Sequence, residues 1–433
     1  MKFNLNFVSF TLKKLNQTIG LYMFNKRKTL KNLASLGFMQ IINYALPIIL
    51  MPYLIIKIGI SNVGLIATIT AITAYIQLFI DYGFNLSATR DIAKNGYDDY
   101  KASIISSSVF AIKSMISVFF LFSSIVVFLI HSVPEEYKSV FFLTFGITVF
   151  QSMFPSWHFQ AAEKMHFITG CNSIPKLIFT GMIFIVVNTP NDVWKVQACL
   201  FAGAFVSFAT AIVVLRTKFN FKLEISFKDI NKQLKNGYSI FVARIASGLY
   251  KNFNVLILGF FAGTAAVGAY SIAERILRSA QMVQNVIGDT LYPSFAKGFT
   301  GDPGFFKKSS QKYKWHIIVT YTAASLILFY LSDFIGHVIG RTSSVEVASC
   351  LKIMAPAFLF GGLNYVCAIL GMTSCGYSKQ FSLCVIATGI FNVVCSTVLS
   401  YLYSYHGTSL ALTLSELFLL CLVLLFSKRI GVL

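Results

Sequence analysis

Residues 104–130 read IISSSVFAIKSMISVFFLFSSIVVFLI, an apolar run interrupted by a single charge, that of Lys113. A helix of about 20 predominantly apolar residues crosses the hydrocarbon core of a bilayer, and this run is longer than that. Runs of similar length and composition recur along the 433 residues of the chain. The sequence therefore predicts an all-α polytopic membrane protein whose immediate surroundings are the lipid bilayer.

The overall composition agrees with this class and disfavours others. Hydrophobic residues make up 56% of the chain and charged residues 12%, whereas a soluble domain carries about a quarter charged residues. The net charge of +20 would favour a nucleic-acid partner in a soluble protein, but in a membrane protein lysine and arginine collect in cytoplasmic loops. We predict no nucleic-acid partner. The eight cysteines form no Cys-x-x-Cys pair, and we expect neither a metal site nor a disulfide.

About twelve segments are predicted to cross the bilayer. They lie near residues 33–55, 64–88, 104–130, 139–161, 166–188, 196–215, 237–261, 266–291, 315–333, 347–372, 381–403 and 408–427. An even number places both termini on one side, where 25 of the 36 lysines and arginines fall, against four on the other side. The prediction is that both termini are cytoplasmic. Residues 1–22 precede a second methionine, Met23, and the sequence leaves open whether they are present in the cell.

The twelve spans are predicted to form two six-helix bundles related by pseudo-two-fold symmetry. A shift of 204 residues pairs Gly59 with Gly263, Gly64 with Gly268 and Gln77 with Gln281, which indicates a duplication. The predicted parts are a basic cytoplasmic segment (1–31), a first bundle (32–215), a polar linker (216–236) and a second bundle (237–428). Transporters built from parallel repeats bind substrate between the repeats and alternate its access to the two sides.

Polar side chains form stripes on three of the predicted spans. On span eight they recur at helical spacing, as Glu274, Arg278, Gln281, Asn285 and Asp289. Span seven carries Arg244, Ser247, Lys251 and Asn254, and span two carries Gln77 and Asp81. A charge at membrane depth costs roughly 2.5–3.5 kcal/mol, so we expect the stripes to line an interior cavity rather than to face lipid.

Basic residues outnumber acidic ones within the spans. An anionic ligand explains such an excess, and the planar fork of arginine suits phosphate oxygens. The predicted cationic binding set is Arg244, Lys251, Arg275 and Arg278. Two alternatives stay open: Glu274 and Arg278 are spaced to form a purely structural ion pair, and three further lysines lie either in this cavity or near span ends, namely Lys113, Lys176 and Lys352.

A second polar set is predicted to serve ion coupling or helix packing, and it comprises Asp81, Glu274, Gln77 and Gln281. No catalytic residue, metal ligand or bound cofactor is predicted, and H⁺ and Na⁺ are the coupling ions considered. The chain contains no Gly-Lys dipeptide and hence no phosphate-binding loop for ATP, and it lacks His-Glu-x-x-His and Gly-x-Ser-x-Gly. We therefore predict a protein that is not an enzyme and does not hydrolyse ATP.

Several segments resemble signatures of one known family. The amino-terminal ones are NYALPIILMPYLIIKIGISNVGLIA (43–67) and DYGFNLSATRDIAK (81–94), followed by FPSWHFQAAEKMHFITG (154–170) on span four and AYSIAERILRSAQMVQNVIGDTLYPSFAK (269–297) on span eight. Together they resemble the Wzx-type polysaccharide repeat-unit flippases, of the multidrug/oligosaccharidyl-lipid/polysaccharide exporter superfamily.

This resemblance implies movement of undecaprenyl-pyrophosphate-linked oligosaccharide from the cytoplasmic to the periplasmic leaflet of a bacterial inner membrane, for O-antigen or capsule assembly. It also implies a polysaccharide polymerase and a chain-length regulator as partners. The alternative is a cation-coupled multidrug or small-solute antiporter of the same superfamily, which would need acids in its cavity. A polymerase or ligase is disfavoured because the longest predicted external loop, near 334–346, is only about a dozen residues.

Overall fold

The computed structural model describes residues 5–94, 97–248, 252–301 and 305–430. Nearly all of these residues are helical, and no strand occurs among them. Within the same ranges, eight helical stretches are long and apolar enough to cross a membrane. These findings confirm the prediction of an all-α polytopic membrane protein.

The described residues form twelve α-helices. These are α1 (Leu5–Asp81), α2 (Phe84–Ala93), α3 (Asp99–Ile130), α4 (Glu135–Met153), α5 (Ser156–Ala161), α6 (His166–Val186), α7 (Val193–Lys218), α8 (Phe227–Gly248), α9 (Phe253–Gly301), α10 (Phe305–Ile335), α11 (Ser344–Asn364) and α12 (Ser378–Arg429). A π-helical stretch, Tyr365–Thr373, extends α11.

Three of the long helices contain two arms each, joined at a residue with non-helical backbone angles. The joints are Gly59 in α1, Gly263 in α9 and Ser404 in α12. Asn254 bonds to Tyr270 across the joint at Gly263, and Ser400 bonds to Thr408 across the joint at Ser404, which indicates that the chain reverses direction at these joints. With the arms counted separately, and α8 and the first arm of α9 taken as span seven, the described segments match the twelve predicted spans.

The joints at Gly59 and Gly263 share an unusual backbone conformation. Their φ angles are 81° and 76°, and their ψ angles, 160° and −178°, place both in a region that is essentially restricted to glycine. The two residues are the pair that the shift of 204 superposes. The same sequence position in each half therefore makes the same turn, for the same steric reason.

The two glycine turns pack against each other, and the contact is reciprocal. A Cβ atom at Gly64 would collide with the backbone of Thr264, and a Cβ atom at Gly268 would collide with the backbone of Ile60. Because Ile60 corresponds to Thr264 and Gly64 to Gly268, each half contributes the same patch, as at an isologous two-fold interface. This arrangement is the predicted pseudo-two-fold symmetry. We call this contact the turn end of the molecule.

A second contact joins the halves at the other end of the α1 arm that runs from residue 60 to residue 81. There the rings of Tyr82 and Phe241 stack with centroids 4.3 Å apart. An arm of this length extends for about 33 Å, which is roughly the thickness of the hydrocarbon core. We call this second contact the linker end, since α8 follows the linker predicted at 216–236. The division of the chain into domains at that linker stays a prediction.

Candidate substrate cavity

A cavity of about 550 Å³ lies between the turn end and the linker end. It is enclosed mainly by the first half, through α1, α4, α6 and α7, and α9 of the second half contributes one wall. Five amide side chains line it, together with several threonine hydroxyls: Asn43, Gln77, Gln151, Asn172 and Gln197. Its charged lining residues are Lys176 and Arg275, and no described residue that lines it carries a carboxylate.

Lys176 enters the cavity because of the amphipathic pattern of α6. Asn172 and Lys176 are one turn apart and line the cavity, whereas Ile174 and Ile178 on the opposite face are about 60% exposed, as expected of side chains that meet lipid. The Lys176 ammonium group donates a hydrogen bond of 2.7 Å to the Asn43 side-chain oxygen. That bond holds one cation of the cavity against α1.

Arg275 enters the same cavity from the second half. Ser271 and Arg275, one turn apart on α9, line the wall that faces α1 and α6. Lys176 and Arg275 are close enough to influence each other electrostatically. The two cations therefore approach one ligand space from opposite halves of the molecule.

Arg278 lies on a neighbouring face of α9 and belongs to a different environment. Its guanidinium Nε donates to Glu274 at 2.9 Å, and a second nitrogen of the same group also contacts that carboxylate. The ion pair that the sequence left as an alternative is therefore present. Arg278 lines a smaller cavity of about 110 Å³ in the second half, together with Gln281 and Glu416.

The other predicted site residues are distributed along the molecule. Gln77 lines the large cavity, and Gln281 donates to the Ala357 carbonyl at 3.4 Å. Asp81 accepts a bond of 3.1 Å from Lys113 near the linker end, and Arg244 of α8 lies within electrostatic range of Lys113. Lys251 falls outside the described residues. The predicted cationic set is therefore spread over separate environments, and Arg275 is the described member that lines the large cavity.

The structure adds cavity residues that the sequence reasoning did not select. The sequence leaves Lys176 between two alternatives. Of the five amides that line the cavity it selects Gln77, and it does not select the other four, which are Asn43, Gln151, Asn172 and Gln197. The spacing of Asn172 and Lys176 on α6 carries a signal, since a polar face recurs there within an apolar span. Gln151 and Gln197 lie in apolar helices, and the packing of α4 against α7 brings them to the cavity.

The Asp81–Lys113 pair yields a stability prediction. The Lys113 side chain is fully buried, donates also to the Ser152 carbonyl, and lies over the Trp157 ring at 4.5 Å. Lys113→Met would leave the Asp81 carboxylate without its partner, and removing one member of a buried pair costs about 3–5 kcal/mol. We expect a clearly lowered midpoint of thermal unfolding for the protein in detergent.

Lys138→Met is the matched control for this prediction, because Lys138 pairs with Glu135, whose side chain is 85% exposed. Exposed pairs contribute little to stability, so the midpoint should not change. The double variant Asp81→Asn/Lys113→Met should recover part of the loss, since neither charge remains. Equal midpoints for Lys113→Met and Lys138→Met would contradict a stabilising role for the buried pair.

Comparison with known proteins places this architecture in a family. Residues 29–299 match the family described as polysaccharide biosynthesis protein, which covers more than half of the chain. The chain belongs to the polysaccharide biosynthesis protein family. This confirms the membership that the quoted motifs indicate. A relative from Escherichia coli strain K12, named "Putative O-antigen transporter", is 28% identical over 413 residues, which are 94% of this chain and 98% of that protein.

Solved structures of low sequence identity share the fold. A structure described as lipid II flippase MurJ in an inward closed conformation has a TM-score of 0.68 and 13% identity, and the match covers 92% of this chain and 87% of that one. An inward-facing multidrug resistance MATE family transporter has a TM-score of 0.66 and 10% identity, with 88% and 97% covered. The two-lobed helical fold is therefore shared with transporters that carry different substrates.

Proposed function

We propose that this protein is a flippase for lipid-linked oligosaccharide, and that its substrate is an undecaprenyl-pyrophosphate-linked O-antigen or capsule repeat unit. The observation that carries the proposal is the large cavity, which combines two cations from opposite halves with an amide-rich and hydroxyl-rich lining. The relatives named above, an O-antigen transporter and a lipid II flippase, support the same class of substrate. They are transport proteins rather than enzymes, which supports transport over catalysis.

The lining of the large cavity suits the two polar parts of such a lipid. A pyrophosphate carries its charge on oxygens that Arg275 can contact as a fork and Lys176 as a point charge. Sugar hydroxyl groups both donate and accept hydrogen bonds, as do amide and hydroxyl side chains of the lining. The polyprenyl chain stays in the bilayer and passes along a lateral gap between the halves.

Alternating access is the proposed mechanism, and the two contacts between the halves supply its gates. In this proposal the reciprocal glycine contact at the turn end is the gate to one side of the cavity, and the Tyr82–Phe241 stack at the linker end is the gate to the other. Opening one contact while the other stays closed exposes the cavity to one leaflet at a time. No ATP hydrolysis is involved in this mechanism, and a gradient or downstream consumption of the glycan drives it.

The orientation of the chain follows from its charges. We propose that both termini and the linker end are cytoplasmic and that the turn end is periplasmic, because lysine and arginine concentrate on the side of the termini. The protein then delivers the lipid-linked repeat unit to the periplasmic leaflet, where a polysaccharide polymerase and a chain-length regulator would receive it. A multidrug antiporter is less well supported, since cationic drugs require acids and the described lining of the large cavity has none.

A deletion strain tests this proposal. Lipid extracts from cells that lack the protein should accumulate undecaprenyl-pyrophosphate bearing a complete repeat unit, identified by mass spectrometry, while surface glycan is lost. Expression of the wild-type chain in the same strain should reverse both changes. Normal surface glycan and an unchanged lipid pool in the deletion strain would contradict a flippase and favour a small-solute exporter.

A further inference from the structure

The chain between α7 and α8, residues 219–226, is fixed against α3 of the first half. The backbone N–H of Lys222 donates to the Ser103 hydroxyl at 3.4 Å, and the Ser107 hydroxyl donates to the Lys222 carbonyl at 3.3 Å. The backbone N–H of Glu224 donates to the same Ser107 hydroxyl at 3.0 Å. We call residues 219–226 the connecting segment. These bonds hold it in one place on the surface of α3.

The connecting segment crosses α3 at the depth where hydrocarbon meets lipid headgroups. A helix of 32 residues is about 48 Å long, so α3 exceeds a hydrocarbon core of about 30 Å by about 9 Å, or about six residues, at each end. The core then begins about six residues into α3, between Ser103 and Ser107. The two serines that bind the connecting segment therefore lie on either side of this boundary.

The side of α3 that the connecting segment covers is the side that meets lipid deeper in the membrane. Val118 and Ile125 follow Ser107 by 11 and 18 residues, which are close to three and five whole turns of an α-helix, so the three side chains share one face. Val118 is 64% exposed and Ile125 is 40% exposed, as expected of apolar side chains that contact lipid. The outer side of the connecting segment continues this lipid-facing surface.

The connecting segment and the start of α8 present a row of exposed apolar side chains. Leu223, Ile225 and Phe227 are every second residue, as on one side of an extended chain, and they are 65%, 57% and 90% exposed. Phe227 is the first residue of α8. A group of large exposed apolar side chains marks a contact with a membrane or with another protein. The depth of this row and its continuity with the lipid-facing side of α3 favour the membrane.

Basic side chains accompany the apolar row. Six of them lie within residues 216–235, all are exposed, and none forms an ion pair with a residue that the structure describes: Arg216, Lys218, Lys222, Lys228, Lys232 and Lys235. The same range contains two acidic residues, Glu224 and Asp229, and both are partly buried. Clusters of about four to eight lysines and arginines beside a span attract anionic lipid headgroups. The combination of such a cluster with apolar side chains is typical of a membrane-surface contact.

We propose that the connecting segment and the start of α8 form a binding surface for anionic phospholipids of the adjacent leaflet. Leu223, Ile225 and Phe227 enter the bilayer at the headgroup boundary, while the basic side chains contact the lipid phosphates. This surface is separate from the substrate cavity, because none of the described residues 216–235 lines that cavity. The contact with lipid fixes the depth of the segment that joins the two halves.

Quenching of tryptophan fluorescence by brominated lipids tests this surface. Phe227→Trp is introduced into the full-length protein, which is reconstituted in phosphatidylcholine vesicles without glycan lipid, and the signal from the three native tryptophans of the wild type is subtracted. Brominated phosphatidylcholine should quench the introduced residue, because that residue lies in the bilayer. Brominated phosphatidylglycerol at the same mole fraction should quench it about twofold more strongly, since the basic cluster enriches anionic lipid.

The basic side chains are tested in the Phe227→Trp background. The triple change Lys218→Gln/Lys222→Gln/Lys228→Gln should abolish the preference for phosphatidylglycerol and leave quenching by phosphatidylcholine unchanged. High salt should weaken the same preference in the parent variant, because it screens exposed charges. Thermal unfolding of each variant verifies that the protein remains folded.

The matched control is Lys379→Gln/Lys428→Gln/Arg429→Gln, which removes an equal charge from exposed positions predicted on the same side of the membrane and should retain the preference. Absence of quenching by either brominated lipid would overturn the proposal and indicate a protein partner for the apolar row. Equal quenching by the two lipids, or equal loss of the preference in the two triple variants, would also overturn it. The assay measures lipid contact alone, so its outcome is independent of the proposed flippase activity.

Discussion

Oxidation of the double variant Ser61→Cys/Thr264→Cys is expected to stop glycan export almost completely. The hydroxyl oxygens of Ser61 and Thr264 share a hydrogen bond of 2.6 Å across the turn end. Two sulfur atoms in their place would lie near the S–S bond length of about 2.05 Å, so a disulfide can form. Such a bond would hold the two halves together at this end and prevent the opening that alternating access requires.

The measurement is surface glycan in a deletion strain that carries each variant, before and after addition of an oxidant. The single variants Ser61→Cys and Thr264→Cys control for loss of either hydroxyl and for the eight native cysteines. A reducing agent should restore export by the double variant. Full export while the cross-link is demonstrably intact would show that the turn end does not need to open.

Arg275→Ala is expected to reduce export about 10–100-fold while protein levels stay unchanged. Hydrogen bonds to charged groups contribute about 1.5–3 kcal/mol each. The adjacent Glu274 pairs with Arg278, so removal of Arg275 does not leave that carboxylate without a partner. Lys176→Ala should act in the same direction. Arg275→Lys should recover part of the activity if charge alone matters, and little if the bidentate fork is required.

Arg278→Ala is the variant to compare with Arg275→Ala, since it removes a second arginine about one turn further along α9. This substitution leaves Glu274 without its partner, so we expect a lowered unfolding midpoint and reduced protein levels. Glu274→Gln/Arg278→Ala should restore the protein level. For each variant, the amount of surface glycan is measured and divided by the amount of the protein in the membrane.

Normal export by Arg275→Ala would contradict the assignment of the substrate headgroup to the large cavity.

Much of the fold follows from local sequence properties. The length of the apolar runs predicts the spans, and the glycines at 59 and 263 mark equivalent turns because the backbone conformation there excludes other residues. The i, i+4 spacing of Glu274 and Arg278 likewise predicts their ion pair. These features depend only on residues that are close in sequence, so they can be predicted from the sequence alone.

The grouping of the site residues depends on how the helices are rotated against one another. Arg275 and Arg278 are three residues apart, yet the packing of α9 between the halves places them in different cavities. Lys113 and Asp81 are 32 residues apart on separate helices, and their pairing follows from tertiary approach.

The most direct test of the flippase assignment is a leaflet assay with the purified protein in liposomes. The vesicles contain undecaprenyl-pyrophosphate bearing a fluorescent glycan in both leaflets, and a membrane-impermeant quencher is added outside. The account predicts that nearly all fluorescence is quenched when wild-type protein is present, and that only the outer-leaflet fraction is quenched with Lys176→Ala/Arg275→Ala. Quenching limited to the outer leaflet with the folded wild-type protein would contradict the account.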